Sequence, residues 1–213
     1  MRTMIAVPCM DTVVTDFFRS CVGLEVQGEV QWTTCQSSLV YDARDRLADI
    51  AIDDGFDRVL WIDSDMVFDR YLFRRLSEHL DLGREMITGL CFSRKAPIRP
   101  TIYKEFRQDI TPEGRPQPVA VLYDDYERDS VFPIAGCGFA AVMTTVDLLR
   151  RVRDRFGLPF WPEAGFGEDF AFCRRASALG AEIWCDSSIK VGHAGYAIYD
   201  EETYRKIREI SGD

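Results

Sequence analysis

Residues 58–62, Arg-Val-Leu-Trp-Ile, lead without a spacer into Asp63-Ser64-Asp65. Four consecutive apolar residues with no alternation read as a strand buried on both faces. Such strands lie in sheets covered by helices on both sides, so this run constrains the fold class before any other segment is read. Met66-Val67-Phe68 resumes the apolar pattern at once, which puts the two acids at the edge of a core.

The flanking pattern agrees. Residues 4–7 form a short apolar first strand, with Pro8 expected in the loop after it. Asp11 is placed to cap a helix through about residue 21, and residues 24–32 alternate as a second strand. Ser37 or Ser38 is placed to cap a helix ending near Gly55, with Leu39, Ala43, Leu47 and Ile50 at helical spacing. Beyond the acids the pattern predicts a helix over 71–80 and a strand over 85–91. A proline-punctuated stretch follows, with short strands near 101–104 and 119–123. Residues 132–143 read as a strand interrupted at Gly136-Cys137-Gly138. Helices are predicted over 146–156, 168–179 and 201–210, and strands over 181–185 and 189–193. The β-α-β-α-β opening implies an α/β fold, a three-layer α/β/α sandwich with a mainly parallel central sheet. Ligands of such sheets sit beyond the carboxyl ends of the strands, and Asp63-Ser64-Asp65 occupies one of those ends.

With 213 residues and no repeat, linker or low-complexity segment, the expectation is one domain over 1–213. The formal net charge of -9 repels nucleic-acid phosphates and anionic lipid heads, which makes both poor partners. Seven cysteines, an odd number with no CxxC pair, lack the spacing of a disulfide framework or a zinc site. They are expected as reduced thiols of a cytoplasmic protein. The apolar N-terminal stretch is too short for a signal peptide. The longest weakly polar run, 131–143, is shorter than the ~18 residues a membrane span needs.

Several residues carry candidate chemistry. Two aspartates one residue apart at a strand end can divide their work, one holding a hard divalent cation and one contacting a ribose or a water. The DxD pattern alone is weak in an acidic chain, and a polar strand end explains it too. Gly167-Glu168-Asp169 follows an aromatic loop containing Phe160, Trp161 and Phe166 and opens a helix. Acids in a first turn complement the helix dipole; the functional alternative is a general base beside an acceptor hydroxyl. His193 fits either a satisfied turn histidine or a metal ligand, whereas His79 reads as a cation near a helix C-terminus. Gly136-Cys137-Gly138 suits a bulge where backbone approaches a substrate or merely a neighbouring strand. Arg44 and Arg46 suit solvation or a phosphate or base contact. Arg94 and Lys95 suit either a solvated loop or a diphosphate contact.

Taken in order, an apolar strand ending in DSD, then GCGF, then GFGEDF opening a helix, then a strand and Gly-His-Ala-Gly, the chain resembles the family 2-like glycosyltransferases of the GT-A fold. The likeness is loose before Arg44 and close from Gly136 to Gly195, with residues 160–195 most specific. The resemblance implies a nucleotide-diphosphate sugar donor (UDP- or GDP-sugar), an acceptor hydroxyl and Mn²⁺ or Mg²⁺. By similarity Asp65 and His193 would hold the metal, with Asp63 on the ribose or a metal-bound water. Asp169 would be the catalytic base and Glu168 its neighbour on sugar hydroxyls. Pro8 and Cys9 would border the nucleobase, Arg44 the base and diphosphate, and Gly136 and Gly138 the transferred sugar. Ser64, Arg94, Lys95 and Trp161 complete the donor-binding set. The acid or asparagine usual near the first-strand loop is displaced or replaced by Asp11. With no long C-terminal extension, acceptor contacts would come from loops or from a second subunit of a homo-oligomer. In-line attack would invert the anomeric centre.

Two other readings stand beside it. A haloacid-dehalogenase-like phosphatase would use Asp63 as nucleophile, with Asp65 and Val67 in the following motif places. A non-catalytic sugar-nucleotide-binding module would keep the fold without turnover.

Overall fold

The central strands are apolar on both faces because each face meets its own set of helices. The computed structural model describes residues 1–94, 96–195 and 198–211. The elements run β1 (Arg2–Cys9), α1 (Thr15–Gly23), β2 (Glu29–Gln36), α2 (Val40–Asp53), β3 (Arg58–Ile62), β4 (Met66–Phe68), α3 (Leu72–Asp81) and β5 (Met86–Cys91). They continue with β6 (Ile102–Ile110), β7 (Pro116–Leu122), β8 (Val131–Ile134), β9 (Gly136–Cys137), β10 (Ala141–Thr145) and α4 (Val146–Phe156). The last are α5 (Glu168–Ala178), β11 (Ile183–Ala194), β12 (Ile198–Tyr199) and α6 (Glu201–Ser211).

On one face of the sheet Met4, Ala6, Val59, Trp61 and Val142 pack against Leu47 and Ala51 of α2, Leu149 of α4 and Phe172 of α5. On the other, Ile5, Val7, Leu60, Ile62 and Met143 pack against Phe17 of α1 and Leu72, Phe73 and Leu76 of α3. Neighbouring residues of one strand thus enter opposite clusters, as the two-residue period of a strand requires. The expected three α/β/α layers are present.

The expectation of a mainly parallel sheet does not hold. The strand order is β12-β11-β5-β10-β3-β1-β2, with β4 and β8 also paired to β11. β1 lies parallel to β2 and to β3, and β11 parallel to β5. But β10 inserts antiparallel between β3 and β5, and β4, β8 and β12 are antiparallel to β11. The sheet is mixed. A run buried on both faces reads the same in either direction, so the pattern could not report the reversal at β10.

Smaller corrections have local causes. Pro8 lies within β1, opposite Cys35, rather than in a loop; as proline it only forgoes a donor near the strand end. Asp11 caps no helix, because α1 begins four residues later behind Val14. The second strand starts at Glu29 rather than Leu24. The two strands expected in 181–193 are one strand, β11, whose pairing to β5 shifts between Asp186 and Lys190. β6, β7 and β9 form a separate antiparallel sheet beside the main one. Among the described residues no helix is long and apolar enough to cross a membrane.

Candidate functional site

The chain turns sharply after β3, and that turn sets out the two aspartates. Asp63 N–H donates to the Ala140 carbonyl at 3.1 Å, and Met66 N–H donates back to the Asp63 carbonyl at 3.2 Å. β4 then pairs with β11 so that Met66 stands opposite His193, and Ala194 N–H donates to the Asp65 carbonyl at 2.8 Å. This register carries His193, 128 residues away in sequence, to Asp65, with Nε2 3.1 Å from Asp65 Oδ2.

The tautomer of His193 matters here. Its Nδ1 lies 3.1 Å from the Phe92 carbonyl oxygen, which can only accept, so Nδ1 carries a hydrogen. In a neutral ring Nε2 then presents a lone pair to a carboxylate oxygen. Two acceptors at that distance call for a proton or a cation between them. Arg94 Nη1 also donates to Asp65 Oδ2, at 2.7 Å. Burial raises the Asp65 pKa, but hydrogen bonding and charge from His193 and the charge of Arg94 outweigh it and hold the carboxyl below its ordinary value.

Asp63 faces a different partner. Arg44, buried on α2, donates from Nη2 to Asp63 Oδ1 at 2.7 Å and from Nη1 to Glu168 Oε1. Its guanidinium also lies over the Phe139 ring, 5.5 Å from the centroid. Burial pushes the Asp63 carboxyl up despite Arg44. The same fork therefore ties the turn after β3 to the first residue of α5. Gly167 precedes that helix as its N-cap, and Glu168 and Asp169 sit in the first turn, where the helix dipole favours acids. Asp169 Oδ1 accepts from Phe170 N–H at 2.8 Å. Burial, and then the charge of Glu168, raise its carboxyl to about 6.

A cleft of about 320 Å³ opens over the Asp63–Asp65 turn and His193. It is lined by Pro8, Cys9, Met10, Ser37, Ser38, Val40, Ala43, Asp63, Ser64, Asp65, Arg94 and His193. Seven residues expected in the site therefore meet around one cleft: Pro8, Cys9, Asp63, Ser64, Asp65, Arg94 and His193. The others are placed differently. Arg44 lies beneath, spent on Asp63 and Glu168. Asp11 does not line the cleft; its Oδ1 accepts from Gln36 Nε2 at 2.6 Å. Trp161 is half exposed outside it, edge-on to Tyr41 with ring centroids 5.1 Å apart. A Cβ on Gly136 would meet the Phe106 ring at 2.5 Å and Cys173 Cβ at 2.9 Å, so this glycine serves close packing against α5. Gly138 lies beside Asp169, whose Oδ2 would be 3.7 Å from an added Cβ. Lys95 lies outside the described residues.

Met10, Val40 and Ala43 carry no chemical signature in the sequence, and Ser37 and Ser38 suit helix caps there. Neither serine caps α2, whose N-cap is Leu39 without a side-chain bond; Ser37 makes a local turn instead, its Oγ accepting from Leu39 N–H at 3.1 Å. The available signal was position: β2 lies parallel to β1, so the loop after it ends beside the loop after β1. Among the described residues no three of His, Cys, Asp and Glu gather into a metal-holding group. Asp65 and His193 form a pair, which suits a cation that takes its remaining ligands from substrate phosphates and water.

No protein-family model and no curated protein matches the chain. Solved structures do match. A197 from STIV superposes with a TM-score of 0.63 at 18% identity, over 92% of this chain and 86% of that one. GalNAc-T7, in a crystal structure with UDP, GalNAc and Mn²⁺, superposes with a TM-score of 0.59 at 10% identity. That match covers 98% of this chain but 48% of GalNAc-T7, so the chain spans about half its length. At these identities the likeness speaks for the fold: an α/β domain of GT-A-like architecture.

Proposed function

We propose that the chain is a metal-dependent glycosyltransferase, moving a sugar from a nucleotide-diphosphate donor to an acceptor hydroxyl. The observation that carries this is the Arg44 fork. It joins Asp63 of the strand-end turn to Glu168 of the helix start, so that a donor-side acid and an acceptor-side acid pair share one site. The GT-A-like fold supports it, as does GalNAc-T7, a neighbour in fold solved with UDP, GalNAc and Mn²⁺.

Asp65 and His193 fit a divalent cation: a carboxylate oxygen and a ring nitrogen face each other, and the other ring nitrogen is fixed by the Phe92 carbonyl. Mn²⁺ or Mg²⁺ bound there would neutralise charge on the leaving diphosphate. Asp63 would contact the nucleotide, whose base Pro8, Cys9, Ser37 and Ser38, which line the same cleft, would border. Asp169 accepts the proton of the acceptor hydroxyl. The hydroxyl oxygen bonds to the anomeric carbon as the bond from that carbon to the diphosphate breaks, through an oxocarbenium-like transition state. Attack opposite the leaving group inverts the anomeric centre.

The phosphatase reading needs Asp63 as a free nucleophile, and its Oδ1 is held by Arg44. The test is turnover of a panel of nucleotide sugars with Mn²⁺, in wild type and Asp169→Asn. Transfer or donor hydrolysis that falls by two orders of magnitude or more in Asp169→Asn supports the reading. Donor binding without turnover would favour a binding module, and phosphate trapped on Asp63 would favour the phosphatase.

A further inference from the structure

Arg94 stands where a cation of this site would be felt most. Its Nη1 donates at 2.7 Å to Asp65 Oδ2, the same oxygen that faces His193 Nε2 at 3.1 Å. Its hydrogen bond goes to the carboxylate oxygen and not to Nε2, so the arginine fills only the oxygen half of the seat. A dication bound to that oxygen and nitrogen would lie within a few ångströms of the guanidinium, where like charges repel strongly.

The surrounding backbone suits a side chain that leaves. The loop after β5 is pinned at its base: Ser93 N–H donates to the Arg99 carbonyl at 2.8 Å and Thr101 N–H to the Cys91 carbonyl at 2.9 Å. Above that base the Arg94 side chain is 49% exposed, and among the described residues Asp65 is its one ion-pair partner. The exchange therefore costs one half-exposed ion pair.

We propose that Arg94 competes with the divalent cation for Asp65, and that the guanidinium released by metal binding turns to the diphosphate of the donor. This rests on the Asp65–His193 cation site of the reading above. One residue would then hold the acidic turn together before loading and bind the leaving group after it. Arginine suits the second task because its planar fork matches phosphate oxygens.

The test is calorimetric titration of Mn²⁺ alone into wild type, Arg94→Ala and Asp65→Asn. Inorganic pyrophosphate is then titrated into the Mn²⁺-saturated wild type and Arg94→Ala. Arg94→Ala should bind Mn²⁺ about fivefold more tightly, the upper range of a half-exposed ion pair. It should bind pyrophosphate more weakly than wild type. Equal or weaker Mn²⁺ binding in Arg94→Ala, with binding still dependent on Asp65, overturns the competition and leaves the metal site standing. Absence of any Asp65-dependent Mn²⁺ binding in both proteins overturns the site and the competition together.

Discussion

His193 Nε2 and Asp65 Oδ2 face each other at 3.1 Å, and the Phe92 carbonyl fixes the hydrogen of the ring on its far nitrogen. Three separate backbone segments create this pair: the turn after β3, the register of β4 on β11, and the end of β5. A proton on Nε2 or a bound cation satisfies two acceptors at this distance.

The Arg44 fork makes a stability prediction. Arg44 is buried, and the Asp63 and Glu168 side chains on which it acts are 32% and 19% exposed. Arg44→Met should cost about 3 kcal/mol, because it leaves two carboxylates facing each other without a cation. Urea unfolding measures this. Arg44→Lys should fall between, since one ammonium cannot reproduce a planar two-pronged contact. An unchanged midpoint in Arg44→Met would remove the fork from the account.

The raised carboxyl of Asp169 sets a pH dependence. A base works only when deprotonated, so kcat/KM for transfer should rise tenfold per pH unit below about 6 and level off above it. The stability term runs the opposite way. Asp169 and the buried Asp45 are both raised to about 6, Asp45 by burial although Phe160 N–H donates to it at 2.7 Å. The folded chain therefore holds these protons more tightly than the unfolded chain does. Their contribution is present below about pH 4 and lost as pH rises through about 6. Urea midpoints across that window should show a falling component that Asp45→Asn and Asp169→Asn each reduce.

Two neighbouring glycines should part company. Gly136→Ala places a methyl 2.5 Å from the Phe106 ring, a clash that should cost about 1–3 kcal/mol. Gly138→Ala meets Thr101 Cβ at 3.4 Å and Asp169 Oδ2 at 3.7 Å, so folding should change by less than about 0.5 kcal/mol while turnover falls. Thermal unfolding and donor turnover, measured on both variants, separate the packing glycine from the site glycine.

Much of this was readable from residues alone. The β3 run over Arg58–Ile62 and the α4 helix over Val146–Phe156 follow from uninterrupted apolar pattern and helical spacing, and both have the predicted bounds. The strand-end acids and His193 meet at one cleft, whereas Glu168 and Asp169 open α5 outside its lining, and Glu168 is tied to Asp63 through Arg44. The reversal at β10 was not readable, since burial on both faces carries no direction. The inward turn of Arg44 had a signal: it shares a helical stripe with Ala48 and Ala51, both fully buried. Its charge argued for the surface, and only the two acids facing it make burial affordable. Gly136 drew attention as a ligand contact for the same reason any bulge glycine does, although its close neighbour is an aromatic ring.

The donor site is tested most directly by thermal unfolding against a panel of nucleotide sugars, with and without Mn²⁺, in wild type and Asp65→Asn. A ligand at 100 times its Kd stabilises the folded state by about 2.7 kcal/mol, enough for a shift of several degrees. At least one UDP- or GDP-sugar should raise the Tm of wild type only with Mn²⁺, and Asp65→Asn should lose the rise. A panel in which no nucleotide sugar moves the Tm, with or without metal, would contradict the donor site.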